Sequence, residues 1–82
     1  MQFKKDKYEN FISVEGEWLN GKPHGVCIFE DKFNRGIATF THGEKHGGPK
    51  WEEFKELGIR WSYEYIDNGK EKGVYRVYQS DP

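Results

Sequence analysis

The chain has one cysteine, Cys27, three prolines, and no apolar run longer than Val26-Cys27-Ile28-Phe29. A lone thiol forms no internal disulfide, and a secreted domain this small usually carries several, so a reducing compartment and a cytoplasmic location are expected. Four apolar residues in a row fall far short of the roughly 20 needed to span a bilayer as a helix. The first ten residues hold no apolar region of the signal-peptide kind. An excess of charge of one sign is missing as well. Thirteen basic against 14 acidic residues leave a net charge of -1, which removes the usual electrostatic case for a nucleic-acid partner.

What is present is aromatic and repetitive. Six Phe, five Tyr and three Trp make 17% of the 82 residues aromatic, well above what disordered chains carry, so a folded chain is expected. At this length one thin domain is the natural reading. Met1 and the short tail 79–82 fit a complete small protein.

A period organises the chain. Gly21, Gly25 and Gly36 recur 22 residues later as Gly43, Gly47 and Gly58, and the first pair recurs again 26 residues on as Gly69 and Gly73. Trp18 and Phe40, Phe29 and Trp51, Ile37 and Ile59, and His24 and His46 stand 22 apart in the same way. Three units follow, at 16–37, 38–59 and 60–78, the third stretched by four residues, with 1–15 as an N-terminal cap and 79–82 as a tail.

Each unit reads as a hairpin. Asn20-Gly21 and Asn68-Gly69 are strong signals for type I′ turns, which need positive φ at both central residues, and His42-Gly43 holds the equivalent place. The flanks alternate as half-buried strands do: Val14, Gly16 and Trp18 share one face, and so do Trp61, Tyr63 and Tyr65. The second glycines, Gly25, Gly47 and Gly73, are expected to let a neighbouring ring lie on bare backbone. The expected fold is all-β, an antiparallel meander of repeated hairpins forming a thin, twisted sheet. A small closed or half-closed barrel is the competing fold. Residues 49–57 admit two readings. Pro49, the spacing of Trp51, Phe54 and Leu57, and Gly58 would suit a short helix near 50–57, whereas the repeat favours a strand followed by a charged loop.

The stretch Gly16-Glu17-Trp18-Leu19-Asn20-Gly21-Lys22-Pro23-His24-Gly25 resembles the signature of the membrane occupation and recognition nexus, or MORN, repeat. Phe40, Gly43, His46 and Gly47 keep the pattern in the second unit, with Ala38 for the leading glycine. Tyr65, Asn68, Gly69 and Gly73 keep it in the third, with Tyr63 where that glycine would fall. Val14 and Gly36 stand where the family favours a tyrosine. The resemblance covers 14–78. It implies an elongated single-layered sheet in a protein that scaffolds an assembly, binds a membrane surface, or accompanies an enzyme as a regulatory module.

Chemistry-bearing constellations are thin. His42 and His46 are four apart and His24 would lie one hairpin from His46, yet no second ligand type joins them, so no metal and no cofactor is expected. Glu52, Glu53 and Glu56 read as a solvated acidic loop. No Ser-His-Asp set, phosphate loop or dinucleotide fingerprint can be assembled, so no catalytic residues are assigned and no enzyme is expected. The candidate contact surface is an aromatic face of Trp18, Phe40, Trp61, Tyr63, Tyr65, Tyr75 and Tyr78, beyond those rings that form the core. Gly21, Gly25, Gly43, Gly47, Gly69 and Gly73 are assigned to turns, and Lys4, Lys5 and Lys7 form a weak patch for anionic lipid. The expected partner is another protein, or a second copy, meeting the terminal strands around 61–78.

Overall fold

A computed structural model describes residues 2–78, with side chains through 75; the side chain of Tyr78, the tail 79–82 and Met1 lie outside the described residues. The chain is all-β, an open antiparallel meander of hairpins measuring 40 × 24 × 17 Å. The strands are β1 (Gln2–Tyr8), β2 (Phe11–Leu19), β3 (Lys22–Pro23), β4 (Gly25–Glu30), β5 (Asn34–Thr41), β6 (Glu44–Lys45), β7 (Lys50–Phe54), β8 (Ile59–Tyr63), β9 (Tyr65–Asp67), β10 (Lys70–Lys72) and β11 (Tyr75–Tyr78). The main sheet runs β1-β2-β4-β5-β7-β8-β11, with β3 paired to β2 and β6 to β5. The hairpin β9-β10 stands apart and is tied to the rest by a bridge of two hydrogen bonds between Gly47 and Ile66, at 2.9 and 2.8 Å.

The turns form where the repeat places them. Leu19 pairs with Lys22, Thr41 with Glu44 and Asp67 with Lys70, each around a two-residue loop. Both loop residues have positive φ in all three, at 53° and 77° for Asn20-Gly21, 50° and 86° for His42-Gly43, and 52° and 77° for Asn68-Gly69. Such turns match the right-handed twist of the strands they join. The second glycines owe their place to the backbone rather than to a ring. At Gly25, φ is 98° and no atom stands within 4 Å of where a Cβ would sit. Each of these glycines follows a two- or three-residue strand and re-aims the chain into the next, longer one.

Residues 50–57 contain no helix. Lys50–Phe54 is strand β7 and a turn follows, because pairing with β5 and β8 on both sides satisfies the backbone that a helix would have satisfied internally. The third unit departs from its expected register. Counting back three residues from Gly69, as Trp18 stands from Gly21, gives Ile66 and not Tyr65. Ile66 is 1% exposed in the core beside Phe40, whereas Tyr65 points outward at 46%. A one-residue offset reverses the face of every side chain in a strand. The chain also bends at Glu64, whose N–H donates to the Lys72 carbonyl, so Tyr63 and Tyr65 share no face.

The interior lies on one side of the sheet and comprises Val14, Trp18, Cys27, Phe29, Ala38, Phe40, Tyr63 and Ile66. Curling creates it. Tyr8 pairs with Phe11, seven residues along β2 from Trp18, a span of roughly 23 Å in a straight strand. Yet the Tyr8 and Trp18 rings meet edge to face at 5.5 Å, and Phe11 packs on Phe29 and Phe40 at 5.6 and 5.7 Å. The tip of the first hairpin thus folds over the face that the later hairpins present.

Two glycine substitutions separate backbone conformation from space. Gly25→Ala should cost about 1–2 kcal/mol in urea unfolding, from its left-handed backbone alone. Gly36→Ala, at ordinary φ, should cost up to about 3 kcal/mol, because its Cβ would meet the Trp51 carbonyl oxygen and, at 2.8 Å, the Glu52 Cα. A neutral Gly36→Ala would show that β5 and β7 are not held this closely.

Candidate functional site

The sheet register puts a charge in the core. On the inward face a cross-strand row runs Val14, Phe29, Gly36, Glu52, Trp61. Val14 and Gly36 are 22 residues apart, but Phe29 and Glu52 are 23 apart, so the extra residue ahead of β7, at Gly48-Pro49, turns Glu52 inward and Trp51 outward. The expected correspondence of Phe29 with Trp51 therefore fails in space. Glu52 and Glu53 do not form a solvated loop with Glu56. They lie in β7 at 2% and 9% exposure, on opposite faces.

Glu52 is held by Lys45 from β6, whose ammonium lies 3.0 Å from Oε1 and 4.8 Å from the centre of the Phe29 ring. That side chain passes over Gly36, where a Cβ would stand 3.2 Å from the Glu52 Cγ. Burial raises the Glu52 carboxyl above the usual carboxylate range; Lys45 opposes the shift, and Glu71 on β10, within hydrogen-bonding reach, adds to it. Tyr63 stands against both acids, and burial together with their charge pushes its hydroxyl well above its ordinary value. Although Tyr63 adjoins Glu52, the two form no well-aligned hydrogen bond, and Glu52 Oε2 and the Tyr63 hydroxyl both remain unpartnered in the interior. Unpartnered buried polar atoms are uncommon and costly.

Beside this cluster opens a groove of about 430 Å³, lined by Phe54, Leu57, Ile59, Trp61, Val74 and Glu71. Glu71 reaches from the groove toward Glu52, linking the apolar cleft to the buried acid. On the outward face the charges pair across strands instead: Arg35 and Arg60 lie 3.3 and 3.7 Å from Glu53, and Lys55 lies 2.9 Å from Glu30.

The residues named from the sequence scatter. Trp18, Phe40 and Tyr63 are core, so they do not offer a face to a partner; Trp61 is half-buried in the groove; Tyr65 and Tyr75 are exposed at 46% and 63%. The rings that do lie over the sheet, Tyr8 and Phe11, come from the cap. Lys4, Lys5 and Lys7 do not form one patch, because strand alternation sends Lys4 inward and Lys5 and Lys7 outward. Lys4 lies 4.6 Å over the Trp18 ring and 3.7 Å from Asp6. His24 neighbours His42, not His46: their rings are 5.1 Å apart and the His42 N–H donates to His24 Nδ1 at 3.3 Å. No group of three His, Cys, Asp or Glu capable of holding a metal occurs among the described residues. Cys27 is buried on the inward face and burial pushes its thiol up, away from a reactive thiolate. Glu52, Glu71, Lys45, Leu57 and Val74 were not singled out by the sequence, in which Lys50-Trp51-Glu52-Glu53-Phe54 shows no alternation to mark an inward face.

Because the folded carboxyl of Glu52 titrates above its unfolded value, its contribution to stability is full below the unfolded value and is lost as pH rises through the folded one. Glu52→Gln should therefore flatten the loss of stability between acid and neutral pH in urea titrations. A slope unchanged from wild type would show that Glu52 is not its source. Lys45→Met, which strands the acid, should cost about 2 kcal/mol at neutral pH, less than a fully enclosed pair because Lys45 is 24% exposed.

No helix among the described residues is long and apolar enough to cross a membrane. Compared with known proteins, the chain matches no family model, no curated protein and no solved structure.

Proposed function

We propose that this chain is a non-enzymatic protein-interaction module that accepts a partner's strand on the outer edge of β11. The carrying observation is the asymmetry of the two terminal strands. The edge strand β1 carries Lys4, Lys5, Asp6 and Lys7, charges that discourage further pairing, whereas β11 borders an apolar groove and the exposed Val74 and Tyr75. An open sheet leaves a row of backbone donors and acceptors at each end, and only one end combines that row with apolar surface. The recurrence of three positive-φ turns, each followed four residues later by a positive-φ glycine, supports keeping the chain among MORN-like hairpin arrays. The division of the three lysines between two faces weighs against a membrane surface as the ligand.

The test compares the two ends. Proximity labelling or affinity capture with the tagged chain should lose its specific partner on Val74→Lys and keep it on Phe3→Lys, since Phe3 is equally exposed but lies at the other edge. Equal capture by both variants, or a chain that remains monomeric and captures nothing, would sink the reading.

A further inference from the structure

Resting on that interaction reading, we propose that the groove beside β11 recognises an extended peptide segment that carries an arginine or lysine two residues from an apolar side chain. Five of the six lining residues, Phe54, Leu57, Ile59, Trp61 and Val74, are apolar, and the sixth is Glu71. Behind Glu71 stands Glu52, which shares its inward row with Trp61 of the groove wall. One ammonium, from Lys45, serves the two carboxylates and reaches only Oε1 of Glu52. That leaves a surplus negative charge and two interior atoms without partners, Glu52 Oε2 and the Tyr63 hydroxyl, in residues at 2% exposure each. Tyr63 senses both Glu52 and Glu71, so the three groups converge on one place.

The missing component is a cationic donor. A guanidinium offers five N–H groups in a fixed plane and no acceptor, which suits two carboxylates, and an ammonium offers three. Trp61 supplies an aromatic surface for the same cation. A neutral segment would fill the apolar walls and leave the acids as they are, and an acidic one would meet Glu71 with like charge. Side chains two apart in a strand share a face, so a segment paired to β11 can lay its cation at Glu71 and its apolar neighbour between Leu57 and Val74.

The experiment titrates the full chain with acetyl-Thr-Arg-Thr-Ile-Thr-amide and with its citrulline counterpart, following amide and indole shifts by NMR. The arginine peptide should bind about tenfold more tightly, the scale of one charged hydrogen bond, and should shift Trp61, Glu71 and Val74. Glu71→Gln should abolish the difference between the peptides while leaving the thermal unfolding curve in place. Equal binding of the two peptides, or shifts confined to other strands, overturns the proposal. So does discrimination that emerges only in Arg76→Gln, since Arg76 pairs with Trp61 in the register and would then be the chain's own occupant. If the peptides are not discriminated but Val74→Lys still abolishes partner capture, the groove chemistry falls and the edge-pairing reading stands.

Discussion

A sheet with no second layer has to make its own interior, and here the first hairpin does so by curling across the face of those that follow. Tyr8 and Phe11 reach Trp18, Phe29 and Phe40 only because the strands twist and bend together. Small residues make that closeness tolerable. Gly16 brings β2 within 3.0 Å of the Val26 carbonyl, measured from where its Cβ would be, and Gly36 does the same between β5 and β7. The burial of the aromatics, the exposure of the opposite face and the openness of both edges all descend from this one-sided architecture.

The turns were legible because they are local. Asn-Gly and His-Gly specify positive φ within two residues, and no distant contact can reverse that requirement. Strand phase was less legible because it is relational. Whether Trp51 or Glu52 faces inward depends on how β7 pairs with β5, and one residue at Gly48-Pro49 decides it. The same limit explains Ile66 and Tyr65, where the stretch in the third unit fell between the fixed points that the glycines supply. Residues remote in sequence, such as Lys45, Glu52, Tyr63 and Glu71, had no common motif to announce them.

The register that buries Glu52 also shapes its surroundings. A side chain at position 36 would stand between Phe29 and Glu52, and its absence is what allows Lys45 to rest on the ring and reach the acid. The cluster is therefore a property of three strands together. Its counterpart on the outward face, Arg35, Glu53 and Arg60, stays paired at the surface, where such ion pairs contribute little. The two faces of β7 thus hold neighbouring glutamates in opposite circumstances, one solvated and matched, the other enclosed with half its hydrogen-bonding capacity unused.

Every pairing in the sheet joins segments close in sequence, and each hairpin touches chiefly the next. An array of this kind can gain or lose a unit at either end without rebuilding the others. Its length is therefore open to change by duplication, and the four-residue stretch in the third unit shows how one copy can diverge into a cleft while its siblings go on closing the core.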